Sequence, residues 1–162
     1  MKIGLTGDTH NNLKNISIIC EIFNEHKVDL VVHTGDITLP KSLDLFQQLS
    51  CKLIGVFGNN DQGEITNLKK ICEKHNFDFE NGYKKIFLLG VNIFIVHDPN
   101  DIKSNFYGVG NMILHGHTHR YRNEIKNKTY IFNPGECAGI LKGKNQVGII
   151  SLENKQMDVV NF

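Results

Sequence analysis

Three histidines stand two apart in His115-Gly116-His117-Thr118-His119. In an extended segment, side chains at i and i+2 point the same way, so a strand ending here aims imidazoles at one point. Imidazole is a borderline ligand suited to zinc, iron, nickel or copper. Upstream lie Gly7-Asp8-Thr9-His10, Gly35-Asp36, Gly58-Asn59-Asn60-Asp61 and a lone His97. Each ends a run of apolar residues, and strand ends on a shared sheet edge converge. Asp8, His10, Asp36, Asn59, His97, His117 and His119 therefore make one candidate site. Seven donors exceed what a single ion uses. A carboxylate has two oxygens and can bridge two cations, so two ions sharing Asp36 would have four protein contacts each. Two divalent ions about 3.5–4 Å apart are a recurrent answer to phosphoryl chemistry, because they polarise the phosphoryl oxygens and lower the pKa of a shared water.

The elements that must carry these residues are legible. Ile3 to Thr6 reads as a short buried strand. Asn11-Asn12 then cap a helix with apolar residues at Leu13, Ile16, Ile19, Cys20 and Phe23, close to a 3.6 period. Asp29 to Thr34 and Leu53 to Phe57 read as strands. Pro40 opens one helix, and Ile65, Leu68, Ile71 and Cys72 mark another. Strand–helix alternation predicts right-handed crossovers and a mainly parallel sheet. The second half changes to antiparallel pairs. Asn81-Gly82 reads as the primed turn of a hairpin between Phe77-Phe79 and Tyr83. Gly90, Asn127-Lys128 and Asn154-Lys155 mark further reversals, and Met112 to Leu114 is a short strand leading into the histidines. The expectation is one α/β domain over residues 1–162: two facing mixed sheets with helices outside.

Composition narrows the partners. Eighteen basic residues against 17 acidic ones give a net charge of +1, which offers no field for a nucleic-acid duplex or an anionic membrane. No apolar stretch reaches the length of a membrane span, and the start carries no charged leader with a cleavage site. Cys20, Cys51, Cys72 and Cys137 form no C-x-x-C pair. They read as reduced, packing thiols, and the expected compartment is the cytoplasm.

The order Asp-x-His, Gly-Asp, Gly-Asn-x-Asp, His, Gly-His-x-His resembles the calcineurin-like metallophosphoesterase superfamily. The short length and Asn133-Pro134-Gly135 resemble its small bacterial and archaeal phosphodiesterase subfamily. The resemblance spans residue 3 to about residue 136. It implies the α-β-β-α sandwich of that superfamily. It implies one metal held by Asp8, His10, Asp36 and His119, and another held by Asp36, Asn59, His97 and His117, with Asp36 bridging. Two divalent transition-metal ions are implied, manganese first, with iron, zinc, cobalt or nickel as alternatives. The implied reaction is phosphodiester hydrolysis of a small phosphate ester by attack of a metal-bridging hydroxide, with Asp8, Asp36, Asn59 and His97 at the catalytic centre. Two rival readings are a phosphomonoesterase and a non-catalytic scaffold resembling the small retromer subunit. Whether copies of the chain associate into a homo-oligomer stays open at this point.

Three positions depart from the superfamily pattern. Asn60 stands where many members have histidine and the small subfamily often has cysteine. A carboxamide cannot give up a proton as imidazolium does, so the expectation is a slow enzyme, or one that prefers esters whose leaving oxygen needs little protonation. Asp98 and Glu136 replace a glycine and a serine, and would add negative charge near an anionic substrate if they point inward. Outside the set, His33 and His115 read as buried residues supporting the ligands, while His26 and His75 suit helix C-terminal ends. Asp61 fits either a partner of a ligand histidine or a helix N-cap. Arg120 and Arg122 could reach a phosphate, with surface packing the default; Phe106-Tyr107-Gly108 could line one wall of the pocket, with structural packing the default.

Overall fold

The computed structural model describes residues 1–162. Strands β1 (Lys2–Thr6), β2 (Leu30–His33), β3 (Lys52–Phe57) and β4 (Asp78–Asn81) run parallel. Helices α1 (Leu13–Glu25), α2 (Pro40–Asp44) and α3 (Ile65–His75) connect them. Strands β10 (Gln146–Ser151) and β11 (Gln156–Asn161) then add to β1 in antiparallel fashion, giving the six-stranded order β11-β10-β1-β2-β3-β4. The second sheet contains β5 (Tyr83–Leu88), β6 (Val91–Val96), β7 (Met112–Leu114), β8 (Arg122–Lys126) and β9 (Thr129–Asn133), in the order β5-β6-β7-β9-β8. Both sheets are mixed, as expected.

Alternation along the strands sorts the side chains into layers. Ile3 and Leu5, Leu30 and Val32, and Ile54 and Val56 face the second sheet, where they meet Ile93, Ile95, Met112, Leu114 and Phe132. Burying each of these contributes roughly 1.5–3 kcal/mol. The opposite faces of β2 and β3 present Val31, Leu53 and Phe57 to Ile16, Ile19, Phe23, Phe46 and Leu68 of the helical layer. Asn12 caps α1, its side-chain oxygen accepting from the Asn15 N–H at 3.1 Å, as the Asn-Asn pair suggested. The helical cover is unequal. All three α-helices pack on the first sheet, whereas the outer face of the second is covered by the 3₁₀ turns Pro99–Asp101 and Ser104–Phe106. There Phe106 stacks on Phe94 with ring centroids 4.4 Å apart, so the aromatic loop is packing and not a pocket wall.

One expected reversal is absent. Asn81-Gly82 does not close a hairpin: β4 pairs with β3 in the first sheet, and β5 pairs with β6 in the second. The chain crosses between sheets at Gly82. Phe79 is held by Phe57 and His33 across β3 and β2, contacts that no local turn signal encodes. The other reversals are hairpins as read, and Asn127 and Lys128 both have positive φ, the geometry of a primed two-residue turn. No helix is long and apolar enough to cross a membrane.

Candidate metal centre

The seven predicted residues converge at the C-terminal ends of β1, β2, β3, β6 and β7, in two groups. Donor atoms of Asp8, His10 and His119 lie within 4.8 Å of one another, and so do those of Asp36, His97 and His117. Asn59 joins the second group: its Oδ1 is 2.9 Å from His97 Nε2 and 3.0 Å from His117 Nδ1.

The geometry that brought the histidines together differs from the extended strand expected. Strand β7 ends at Leu114, and His117 and His119 sit in a loop with left-handed backbone (φ 68° and 53°). They do not aim at one point. His117 turns to His97, with His117 Nδ1 3.1 Å from His97 Nε2, and His119 stacks on His10 with ring centroids 5.5 Å apart. Asp8, His10 and Asp36 also have positive φ, at 52°, 45° and 59°. Five of the seven candidates thus occupy a conformation that costs L-residues about 1–3 kcal/mol each, and such strain collects at functional sites.

Two glycines let the loops close. Gly35 has φ +104°, and a Cβ there would lie 2.7 Å from the Gly58 nitrogen; a Cβ on Gly58 would lie 2.2 Å from Asp36 Oδ1. Asp61 ties the same loops together. It neither contacts a candidate histidine nor caps α3, so both expectations for it are corrected. Its carboxylate, fully buried, accepts four backbone N–H bonds, from Asp36 (2.9 Å), Ile37 (2.8 Å), Thr38 (2.6 Å) and Gly58 (2.7 Å). The loop after β3 folds back on that after β2, so the nearest orphan donors are amides and not imidazoles.

The donor set fits cations. His97 Nδ1 faces the Thr34 carbonyl at 2.9 Å, so it carries a proton, and Nε2 turns inward. There Nε2 meets Asn59 Oδ1, with Asp36 Oδ1 3.4 Å away. Oxygens converging on this nitrogen need a positive charge among them, a proton on Nε2 or a metal ion. Proton affinities say the same. Burial disfavours the His97 imidazolium, yet the Asp36 carboxylate holds its pKa above the usual histidine value. Burial also works against charged Asp36, but hydrogen bonds from His97 and Asn60 hold its carboxyl far below the usual range. Burial pushes the Asp8 carboxyl up, although both its oxygens accept from the His117 N–H.

The departures are placed as well. Asn60 clamps Asp36, donating from its backbone N–H at 2.9 Å and its side-chain amide at 2.6 Å. Glu136 does not face an anionic substrate. It is buried, with Oε2 on His119 Nδ1 and Oε1 accepting the Ile140 N–H at 2.9 Å. Asp98 Oδ2 lies 3.6 Å from His117 Nε2. Arg122 bonds His115 and Glu124, and Arg120 is exposed at the rim beside His119. A pocket of about 330 Å³ opens beside His97 and His117, lined also by Gln62, Asn81, Asp98 and Asp101. Gln62, Asn81 and Asp101 carried no functional signal in the sequence, since they become neighbours only when the sheets face each other.

His33 supports the loops rather than Asp36 itself. Its Nδ1 accepts the Gly35 N–H (3.1 Å), leaving Nε2–H for the Thr9 hydroxyl at 2.9 Å. Burial lowers its pKa to about 3, whereas an unfolded histidine titrates near 6.5. The unfolded chain therefore takes up a proton that the fold refuses, and stability falls as pH drops from about 6.5 towards about 3. With chelator present, urea midpoints between pH 7 and pH 4.5 should show wild type losing up to about 1.4 kcal/mol per pH unit more than His33→Gln. Equal slopes would refute the buried neutral ring.

Comparison with known proteins identifies the family. The calcineurin-like phosphoesterase superfamily domain matches residues 1–155. A phosphodiesterase of Methanocaldococcus jannaschii is 34% identical over 163 residues, covering 96% of each chain. The structure of an archaeal phosphodiesterase superposes with a TM-score of 0.90 at 31% identity, over 100% of both chains. Vps29 of Entamoeba histolytica shares the fold alone, with a TM-score of 0.67 at 15% identity over 100% of this chain and 99% of that one. A family match over nearly the whole length, joined to a relative aligned from end to end, is decisive: the chain belongs to the calcineurin-like phosphoesterase superfamily, and is a hydrolase of phosphoric esters.

Proposed function

We propose that the protein is a dinuclear metal-dependent phosphodiesterase acting on a small phosphate ester. The observation that carries this reading is the pair of donor groups side by side at the strand ends. Asp36 belongs to the group of His97 and His117, and its charge also raises the pKa of Asp8. Asp8, His10, Asp36 and His119 would hold one ion; Asp36, Asn59, His97 and His117 would hold the other. When bound, divalent ions supply Lewis acidity: they neutralise phosphoryl charge and make a hydroxide nucleophile available near neutral pH. Imidazole-rich donors favour transition metals over magnesium or calcium, and manganese is the ion we assign first. The four cysteines are unpaired, which suits the cytoplasm.

The chain's own residues define the rest. Asp61 holds the loops after β2 and β3 together, and Asn60 keeps the Asp36 carboxylate in place without offering a proton to the leaving group. The adjoining pocket takes the ester arm. Amides of Gln62 and Asn81 and carboxylates of Asp98 and Asp101 line it, with no lysine or arginine. The second negative charge of a monoester meets no fixed cation there, which favours a diester.

Purified protein with manganese should hydrolyse an aryl phosphodiester, lose the activity to a chelator and regain it with the metal. The matched aryl monoester and an alkyl diester should each turn over at least about tenfold more slowly, about 1.4 kcal/mol in the barrier. A faster monoester would replace this reading with a phosphomonoesterase. Fewer than one metal per chain, with no hydrolysis, would favour the scaffold.

A further inference from the structure

We infer that Glu136 is a positioning residue: it fixes the His119 ring as a strong metal ligand, and so tightens one ion of the pair more than the other. The inference rests on the dinuclear reading above. The contact itself is between Glu136 Oε2 and His119 Nδ1. The carboxylate is 2% exposed, and its other oxygen accepts the Ile140 N–H at 2.9 Å. A buried carboxylate is costly unless a partner needs its charge, and His119 is the one ionisable group it touches. Its position is secured from both sides. The Glu136 carbonyl accepts the Gln146 N–H at 2.7 Å. The preceding turn is tied to the histidine loop by Asn133, whose Nδ2 donates to the Gly116 carbonyl (3.0 Å) and to Thr118 Oγ1 (3.1 Å).

The consequence follows from imidazole chemistry. With Nδ1–H held by an anion, the lone pair resides on Nε2, the nitrogen 3.8 Å from Asp8 Oδ1. A carboxylate behind the ring also makes that lone pair more basic, and removing such a partner typically costs about 10–100-fold in metal affinity. The other histidines lack an equal support. His97 Nδ1 rests on the neutral Thr34 carbonyl. His117 has Asp98 at 3.6 Å, with both side chains substantially exposed (39% and 29%), where water screens the charge. Buried anionic support is therefore confined to the group of Asp8, His10 and His119.

Cobalt and manganese binding isotherms on chelator-stripped protein test the assignment, with wild type, Glu136→Gln and Asp98→Asn compared. Wild type should bind two ions. Glu136→Gln should weaken one of them by about 10–100-fold and shift the visible absorption of one cobalt only, while its metal-free thermal midpoint stays near wild type. Asp98→Asn should change affinity by less than about threefold, as expected of an exposed pair. Wild-type affinities and spectrum in Glu136→Gln overturn the inference. A wild type that binds fewer than two ions overturns the dinuclear reading instead. Zinc-loaded wild type gives a test that needs no variant: nitrogen-15 NMR should show His119 carrying its proton on Nδ1, and a His119 without that proton refutes the role.

Discussion

Asp36→Asn should lower phosphodiester hydrolysis by more than about 100-fold and leave the protein with fewer than two bound ions. The reason is its position. Asp36 Oδ1 lies 3.4 Å from His97 Nε2, its negative charge is felt at Asp8, and it follows the strand lying between those that carry Asp8 and Asn59. Loss of a partner behind a ligand typically costs about 10–100-fold; loss of a donor shared by both ions should exceed that. The substitution also reverses a dipole, because one oxygen becomes an amide that points hydrogens at a cation site. His10→Ala and Asn59→Ala are the controls, since each touches one group and should weaken one ion. Metal content by elemental analysis and steady-state rates on an aryl diester decide the matter. An Asp36→Asn protein with two ions and wild-type turnover would remove the bridging assignment.

Asp61→Asn should destabilise the fold by about 4 kcal/mol or more, the range reached when a buried hydrogen-bonded network is broken. Four backbone N–H groups converge on the two carboxylate oxygens. An asparagine keeps one oxygen and sets an NH₂ against the donors that met the other, so buried amides lose their acceptor and the charge assistance disappears. For a chain of this size, the loss corresponds to a drop of roughly 10 °C in Tm. The effect should extend to the site, because Asp36 and Gly58 both take their backbone positions from Asp61. Asn60→Ala, which removes only a side-chain bond to Asp36, should melt within about 3 °C of wild type. If Asp61→Asn melts with wild type, the clamp does not hold these loops.

Much of the site was legible because its chemistry is carried by residue types that strand ends rarely accumulate by chance. Asp8, His10, Asp36, Asn59, His97, His117 and His119 were all named from their spacing and from the apolar runs before them, and all seven converge. The argument from an extended strand was nonetheless incorrect for the triple histidine. His117 and His119 are parted by left-handed backbone that two-residue periodicity cannot foresee. For Glu136 the sequence left the direction open, a charge near the substrate only if it pointed inward. Nothing local distinguishes a carboxylate aimed outward from one folded back on an imidazole 17 residues earlier. Asp61 was read as the partner of a ligand histidine or as a helix N-cap, and instead it accepts backbone N–H bonds from two loops.

The chain alone determined the α/β class, the alternation of buried strands and amphipathic helices, and which seven polar residues end the strands, because these depend on periodicity and on side-chain chemistry within short windows. Tertiary structure decided which sheet each strand joins, with β4 and β5 parting at Gly82. It also decided which donors share a group, which carboxylates stand behind which rings, and which polar residues line the pocket. Those outcomes depend on contacts between segments distant in sequence, whose energies come from packing and from satisfying buried amides, and no local pattern records them.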